Sequence, residues 1–400
     1  MDQGTLHTIL PSPRAHAVSR GASRFPWPGF AILFGATSII VGGLWDISWH
    51  STVGRDTFWT SAHMAIYVGG VTAGLAGGWA ALRATFGADP SHREAAIRIA
   101  GARAPLGAWV AMWGALAMIT SAPFDDWWHN AYGLDVKILS PPHAVLALGM
   151  FAIALGGLLF VAGWQNRCLE EDRPRAGLLT AYAAGIHIVM AATLLTEHSF
   201  PNHQRSATFY MLACFEYPKY LVLAATTAKT RWPATKAAAI YMGIVILMGW
   251  ILPLFPARPL LAPIYNPVDH MVPPAFPLVL VAPALLVDLL CRHAPRGEGW
   301  RRRASEALLA VATGAGFLGV FLAVQWHFSE FLIGPSADNR LFFGGRFFSY
   351  MSPPGDWMQR YWGLTRDPVT MVSLAAALLL AILSAWIGLV CGGWLSRVKR

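Results

Sequence analysis

The chain carries few charged residues. Asp, Glu, Lys and Arg make up 13% of its 400 residues, whereas hydrophobic residues make up 55%. Charged residues are usually about a quarter of a soluble domain. A water-soluble globule of this size could not cover its surface with so few charges. The composition therefore excludes an ordinary soluble protein and favours a chain whose surface faces lipid.

Cysteine is scarce, and the common nucleotide-binding motifs are absent. The four cysteines, Cys168, Cys214, Cys291 and Cys391, form no CxxC pair, so we expect neither a disulfide framework nor a thiolate zinc site. P-loop, nucleophile-elbow and dinucleotide-binding patterns do not occur, which argues against nucleotide-driven pumping and serine hydrolase chemistry. In a membrane chain, the basic residues behind the net charge of +9 indicate which loops face the cytoplasm. We therefore expect no nucleic-acid partner.

Apolar runs recur along the chain, each of about 20 residues, the length that crosses a bilayer core of about 30 Å as a helix. They predict an all-α, polytopic membrane helix bundle with about ten transmembrane helices. The predicted spans are 29–45, 61–82, 104–122, 141–163, 176–196, 206–227, 237–255, 274–291, 305–326 and 369–395. Glu216 and Lys219 lie inside the sixth span, where an unpaired charge is costly. A mutual ion pair is the economical interpretation, and a proton path is the alternative.

Basic residues alternate with histidines along the predicted loops. With a cytoplasmic N-terminus, most of the 30 Lys and Arg residues lie on the cytoplasmic side, as the positive-inside rule requires. Both termini are therefore predicted to be cytoplasmic, in a bacterial inner membrane. Most histidines fall at the opposite, periplasmic helix ends, which predicts chemistry at the outer face.

The chain divides into three predicted regions. Residues 1–25 form a cytoplasmic N-terminal tail that lacks the pattern of a cleavable signal peptide. Residues 26–165 form a four-helix membrane region. Residues 166–400 form a further membrane bundle of about six helices, with a long external loop at 327–368 that is rich in Gly, Pro and aromatic residues.

The first predicted helical hairpin gathers acidic and histidine residues at one end. Asp46 and His50 close the first span, and His63 opens the second. Residues i and i+4 share a helix face, so Asp46 and His50 can point at one place, and a tight return of the chain brings His63 to it. Asp56, in the connecting loop, is predicted to accept a hydrogen bond behind a ligand imidazole.

The second hairpin repeats this pattern 79 or 80 residues later, which indicates an internal repeat. The matching metal-ligand candidates are Asp125, His129 and His143. The matching supporting carboxylates are Asp135 and, beside Asp125, Asp126. A lone Asp or His at a helix end is usually solvated, but two matched sets favour metal binding. Two imidazoles and a carboxylate suit copper, zinc or non-haem iron, and affinity favours Cu(II) among divalent ions.

Both hairpins resemble one protein family, the copper membrane monooxygenases. The first reads DISWH from Asp46, RDT from Arg55 and SAH from Ser61. It resembles the copper-site segment in the third subunit of the particulate methane and ammonia monooxygenases, which reads D-x-S-W-H, R-D-T and S-x-H. The second, DDWWH from Asp125 and SPPH from Ser140, is similar to the family's N-E-W-x-H and S-A-P-x-H, with Asp in place of Asn. The resemblance covers residues 45–143 only.

The resemblance implies a copper-dependent monooxygenase, or a subunit of one, that activates dioxygen to hydroxylate a small apolar substrate at the outer membrane face. Other monooxygenase subunits or further copies of the chain would then be partners, besides the lipid bilayer. Two alternatives stay open. One is a non-catalytic copper carrier or assembly factor for a membrane oxidase. The other is a transporter with structural metal sites and Glu216 and Lys219 on its route.

Overall fold

The computed structural model describes residues 26–133, 140–292, 299–352 and 367–400. The tail predicted for residues 1–25 lies outside them. The described chain is mostly helical, and its helices are α1 (Trp27–Thr52), α2 (Ser61–Phe86), α3 (Pro90–Glu94), α4 (Leu106–Tyr132), α5 (Pro141–Gln165), α6 (Arg173–Leu194), α7 (Ala207–Thr227), α8 (Pro233–Ile251), α9 (Val281–Cys291), α10 (Gly299–Ile333) and α11 (Met371–Leu395).

Eight of the described helices are long and apolar enough to cross a membrane: α1, α2, α4, α5, α6, α8, α10 and α11. They indicate an integral membrane protein built as a helix bundle. A short antiparallel hairpin of β1 (Ile97–Ile99) and β2 (Ala102–Ala104) connects α2 to α4. The sequence pattern predicts no strand here, because these two strands have only three residues each.

Two of the ten predicted spans differ in the structure. The sixth is the helix α7, which is not among the eight apolar helices. The eighth is predicted from residue 274, whereas α9 begins at Val281 and is only 11 residues long. Pro273, Pro274 and Pro277 precede it, and proline removes the backbone N–H groups that a helix needs.

Side chains of the bundle replace the missing helical hydrogen bonds before α9. The backbone N–H of Leu278 donates to the Tyr241 hydroxyl at 2.9 Å, and that of Val279 donates to Gln325 Oε1 at 2.9 Å. Non-helical backbone at membrane depth is tolerated where it is buried in protein in this way. The segment is therefore an extended entry to a short helix.

The first four long helices pack as two close pairs. α1 packs on α2 and α4 on α5, and the pairs meet where α2 contacts α4 and α1 contacts α5. A Cβ atom added at Gly35 would lie 2.6 Å from the Gly69 carbonyl oxygen, and one at Gly114 would lie 2.7 Å from that of Gly149. Small residues allow membrane helices to approach this closely, so glycine sets the spacing within each pair.

Candidate metal centre

The last two turns of α1 supply the first two members of the cluster. Asp46 and His50 are four residues apart on this helix, and His50 Nε2 lies 3.7 Å from Asp46 Oδ2. The sequence predicts this pair from helical periodicity. The His50 side chain is 49% exposed, whereas that of Asp46 is 25% exposed. The imidazole is therefore the accessible part of the pair.

The loop after α1 turns Asp56 back onto the same place. Gly54 adopts a left-handed conformation with φ of 79°, which glycine allows without steric cost. The indole Nε1–H of Trp49 donates to the Arg55 carbonyl at 2.9 Å and fixes the returning chain. Asp56 Oδ2 then lies 3.5 Å from His50 Nε2 and 3.4 Å from His63 Nε2.

His63, at the start of α2, completes the cluster. Its Nε2 lies 3.1 Å from Asp46 Oδ1. Its Nδ1 lies 2.9 Å from the Thr57 carbonyl oxygen, and because a carbonyl can only accept, Nδ1 carries the proton. In a neutral imidazole Nε2 is then the nitrogen available to a metal ion, and backbone acceptors commonly orient metal-binding histidines in this way.

The donor atoms fit a metal ion. Nitrogen and oxygen ligands about 2.0–2.2 Å from a metal lie about 3–3.5 Å from one another, and the imidazole-to-carboxylate distances here are 3.1–3.7 Å. Among the described residues, one atom each of Asp46, His50 and Asp56 lie within 4.8 Å of one another, and His63 is not part of this set, although its Nε2 lies 3.1 Å from Asp46 Oδ1. Asp46 Oδ1 is buried and accepts no hydrogen bond of acceptable geometry. A cation at this place would satisfy that oxygen.

Asp56 is placed differently from its predicted role. The sequence predicts it behind an imidazole, but its carboxylate faces the same Nε2 atoms as Asp46 does. The hydrogen-bonding His50 imidazole lowers the pKa of the Asp56 carboxyl below its usual value, so the group is ionised at neutral pH. Asp56 is therefore available as a second anionic ligand.

The second hairpin brings together part of its predicted set. His143 Nε2, at the start of α5, lies 3.5 Å from Asp125 Oδ1 on α4. The side chain of His129 and the whole of Asp135 lie outside the described residues. Asp126 is exposed, and its carboxylate accepts a hydrogen bond at 3.3 Å from Asn130 on the same helix.

The two hairpins share the backbone conformation that shapes the loop. Gly133, which matches Gly54 in the repeat, also has a left-handed conformation, with φ of 87°. Ser140 caps α5, because its hydroxyl oxygen accepts the backbone N–H of His143 at 3.4 Å. Corresponding glycines therefore turn the chain at the ends of both α1 and α4.

Tyr67 is a residue near both clusters that the sequence pattern alone does not single out. It follows His63 by one helical turn, and the two ring centroids are 6.2 Å apart. Its phenol lies within electrostatic range of the carboxylates of Asp46, Asp56 and Asp125. The i+4 spacing from His63 is the available signal, but an aromatic residue at that spacing is ordinary in a membrane helix.

The second half of the chain covers the loop of the first cluster. The backbone N–H of Tyr350 donates to the Ser51 carbonyl at 3.0 Å, and that of Leu260 donates to the Val53 carbonyl at 2.9 Å. The backbone N–H of Val272 donates to the Thr52 hydroxyl at 2.8 Å. The loop is thus fixed by contacts with residues more than 200 positions away in the sequence.

The two oppositely charged side chains of α7, Glu216 and Lys219, form a closed pair. Lys219 Nζ lies 2.7 Å from Glu216 Oε2, and each side chain is 19% exposed. The Tyr220 hydroxyl donates to Glu216 Oε1 at 3.1 Å. The ammonium group of Lys219 also lies over the Phe215 ring, 4.7 Å from its centroid. These distances fit a mutual ion pair, which is the first of the two interpretations that the sequence allows.

Comparison of the chain with protein-family models, curated proteins and solved structures gives no match.

Proposed function

We propose that this integral membrane protein binds copper and takes part in activating dioxygen for hydroxylation of a small apolar substrate, in the manner of the particulate methane and ammonia monooxygenases. The observation that carries the proposal is the convergence of the His50 and His63 Nε2 atoms on the Asp46 and Asp56 carboxylates, within 3.1–3.7 Å. The motif resemblance makes copper the first choice over zinc or non-haem iron.

The residues of this cluster would have different parts in binding copper. His63 is oriented by the Thr57 carbonyl, and the two carboxylates would neutralise the charge of the ion. Bound copper would supply the one-electron redox chemistry, as cofactors generally do, while the protein supplies orientation and surroundings. A second site would form from Asp125, His129 and His143. Both would lie at the outer face of a bacterial inner membrane.

A copper carrier or assembly factor is the second candidate function. The exposure of His50, at 49% of its side chain, supports it, because an exposed ligand can be exchanged with a partner protein. The two functions differ in retention. An enzyme site should keep its copper through purification, whereas a carrier should release it to a chelator of moderate strength within minutes.

Metal analysis of the intact protein tests the proposal. We would purify the full chain in mild detergent and measure metal content together with the EPR spectrum of Cu(II). The wild type should hold copper with nitrogen ligands, and the double substitution His50→Ala and His63→Ala should lose that signal. His92→Ala is the matched control, because His92 is 44% exposed and lies in α3, beyond the other end of α2.

Copper in the control and its loss from the double variant would support the proposal. Full occupancy in a protein that lacks His50, His63 and His129 would refute it. If the freshly purified wild type held zinc and gave no EPR signal, the cluster would be a structural metal site and the copper proposal would be wrong.

A further inference from the structure

A β-hairpin connects α2 to α4 at the end of the bundle away from the candidate metal centre. Its strands β1 and β2 are joined by Ala100 and Gly101, whose φ angles are 48° and 90°. Positive φ at both residues is typical of a type I′ turn, which fits a two-residue hairpin connection and sets the register of the strands. In that register Arg98 is held opposite Arg103.

The side chains of these two arginines lie on one face of the β-hairpin and close together. The backbone N–H of Arg103 donates to the Thr85 hydroxyl oxygen at 2.8 Å, and the Thr85 hydroxyl lies 3.2 Å from the Arg103 carbonyl oxygen. Because both backbone groups of Arg103 are turned toward Thr85, Arg98 and Arg103 form a non-hydrogen-bonded pair. The Cα atoms of such a pair are about 4.5 Å apart, the closer of the two antiparallel arrangements.

No acidic side chain of the described residues forms an ion pair with Arg98 or Arg103. The nearest acidic residues in the sequence are Asp89 and Glu94. Asp89 lies against His92 instead, with 3.8 Å between its Oδ2 and the imidazole Nε2. Like charges directly opposite each other destabilise a sheet. The β-hairpin therefore holds two guanidinium groups side by side without a counter-charge from the described chain.

An apolar stripe on α2 leads to the same place. It consists of four large side chains that are 46–79% exposed, Leu75, Trp79, Leu82 and Phe86. They recur at spacings of four, three and four residues, so they share a helix face. Since α2 is long and apolar enough to cross a membrane, this face would contact acyl chains. The apolar stripe ends at Phe86, next to the threonine that binds the Arg103 backbone.

A phospholipid with a net negative charge fits both features. Its phosphate oxygens accept the paired N–H groups of guanidinium forks, and its acyl chains match an apolar surface beside them. A free phosphate ion would contact the arginines alone. A zwitterionic phospholipid carries a cation that offsets the attraction. Basic residues at the end of a membrane helix attract anionic headgroups, and each strengthens binding roughly fivefold.

We propose that the face of the β-hairpin that carries Arg98 and Arg103 binds the headgroup of an anionic phospholipid, whose acyl chains lie along the apolar stripe. The predicted orientation puts this site in the cytoplasmic leaflet, whereas lipid binding itself depends neither on the orientation nor on copper. The bound lipid would neutralise the opposed arginines. It would thereby stabilise the connection between α2, which carries His63, and α4, which carries Asp125.

Native mass spectrometry of the full chain in mild detergent tests the site. Delipidated protein would be titrated with phosphatidylglycerol, with phosphatidylcholine of the same acyl chains and with inorganic phosphate. The test variant combines Arg98→Gln and Arg103→Gln. The matched control combines Arg340→Gln and Arg346→Gln, which removes the same charge from exposed residues of the segment after α10. That segment contacts the end of α1, on the opposite side of the bundle.

The wild type and the control should bind phosphatidylglycerol about 30-fold more tightly than the test variant, since two arginines contribute roughly fivefold each. Phosphatidylcholine should bind weakly to all three proteins, and inorganic phosphate should not displace phosphatidylglycerol. Equal affinity of the wild type and the test variant for phosphatidylglycerol would overturn the proposal. Displacement by an equal concentration of inorganic phosphate would also overturn it, because the site would then bind a free anion.

Thermal unfolding separates lipid binding from folding. In lipid-free detergent, the test variant should unfold at the wild-type temperature or above it, because it lacks the like-charge pair. Phosphatidylglycerol should raise the unfolding temperature of the wild type and the control, as a ligand of the folded state does, and should leave that of the test variant unchanged. A test variant that unfolds below the wild type without lipid would assign both arginines to the fold and contradict the proposal.

Discussion

The Thr57 carbonyl accepts the Nδ1–H of His63 at 2.9 Å, and this single contact determines what the imidazole can do. In a neutral imidazole it leaves Nε2, which lies 3.1 Å from Asp46 Oδ1 and 3.4 Å from Asp56 Oδ2, as the nitrogen that can bind a metal ion. Thr57 is itself fixed, because its backbone N–H donates to the Thr60 hydroxyl at 2.8 Å. One turn of loop before α2 therefore prepares His63 as a ligand.

We expect Asp56→Asn to weaken copper binding more than 100-fold, because the substitution removes one of two anionic ligands. Loss of a group that only supports a ligand typically costs about 10–100-fold. A competition titration against a chelator of known affinity measures the difference. Asp89→Asn removes a 48% exposed carboxylate beyond the other end of α2 and should change affinity less than twofold. A loss of about 100-fold or less for Asp56→Asn would return Asp56 to a supporting role.

The sequence is sufficient for the part of the site that helices determine. Asp46 and His50 share a face of α1 by periodicity alone, and His63 reaches them in the structure. The direction of Asp56 is not predictable in this way. It depends on the left-handed Gly54 and on the bond from Trp49 to the Arg55 carbonyl, and a loop path of this kind has no periodic signal.

At the scale of the elements, glycine contacts repeat with the ligands. Gly114 follows Gly35 by 79 residues and Gly149 follows Gly69 by 80, the separations that relate the Asp and His residues. Gly69 meets Ile39, and Gly149 meets Met118, at equivalent backbone positions. Each helix pair therefore crosses in the same way beneath its cluster, which supports the interpretation of a repeated hairpin.

We expect Gly35→Val to destabilise the protein by about 1–3 kcal/mol, the usual cost of overpacking. The added Cβ atom would lie 2.6 Å from the Gly69 carbonyl oxygen, and backbone cannot move aside as a flexible side chain can. Gly78→Val, whose Cβ atom meets nothing within 4 Å, is the control. Thermal unfolding in detergent measures both. Equal stability of the two variants would contradict the role of Gly35 in setting the helix spacing.

Sequence predicts the long spans well and the interrupted ones poorly. A run of about 20 apolar residues needs little context to become a membrane helix. At the start of the eighth predicted span, however, prolines 273, 274 and 277 lack the backbone N–H groups that helical hydrogen bonds need. The substitute partners, Tyr241 and Gln325, come from distant helices. Their positions follow from the packed bundle and not from local sequence.

Substitution of the ion pair of α7 tests whether the pair has a structural role or a role in transport. Glu216→Gln should cost a few kcal/mol, because it leaves the Lys219 ammonium group without its carboxylate in a largely buried position. The double substitution Glu216→Gln and Lys219→Met should recover part of that loss. We expect copper content to stay unchanged in both variants. Thermal unfolding compares their stabilities, and a double variant less stable than Glu216→Gln alone would contradict a mutual pair.

At the scale of the whole molecule, the second half of the chain works as a support for the first. Residues 51–53 at the end of α1 accept hydrogen bonds from Tyr350, Leu260 and Val272. These contacts hold the end of α1 from which the loop to Asp56 and His63 departs. A four-helix fragment would lose them, so the site should be tested in the full chain.

The basic loops predict an orientation of the bundle in the membrane, and labelling can test it. Leu260 is 68% exposed and its backbone N–H donates to the Val53 carbonyl at 2.9 Å, so it marks the cluster end. Ala88 is exposed just after α2 and marks the other end. The flanking Arg83 and Arg93 should hold that end in the cytoplasm.

We expect a membrane-impermeant maleimide to label Leu260→Cys in intact cells and Ala88→Cys only after permeabilisation, in a chain whose four native cysteines are replaced by alanine. Retained copper in that background would show that the bundle stays folded. The reverse labelling pattern would put the clusters on the cytoplasmic side. Copper would then have to be acquired from cytoplasmic carriers, and the proposed outer-face chemistry would be wrong even if the metal site itself were intact.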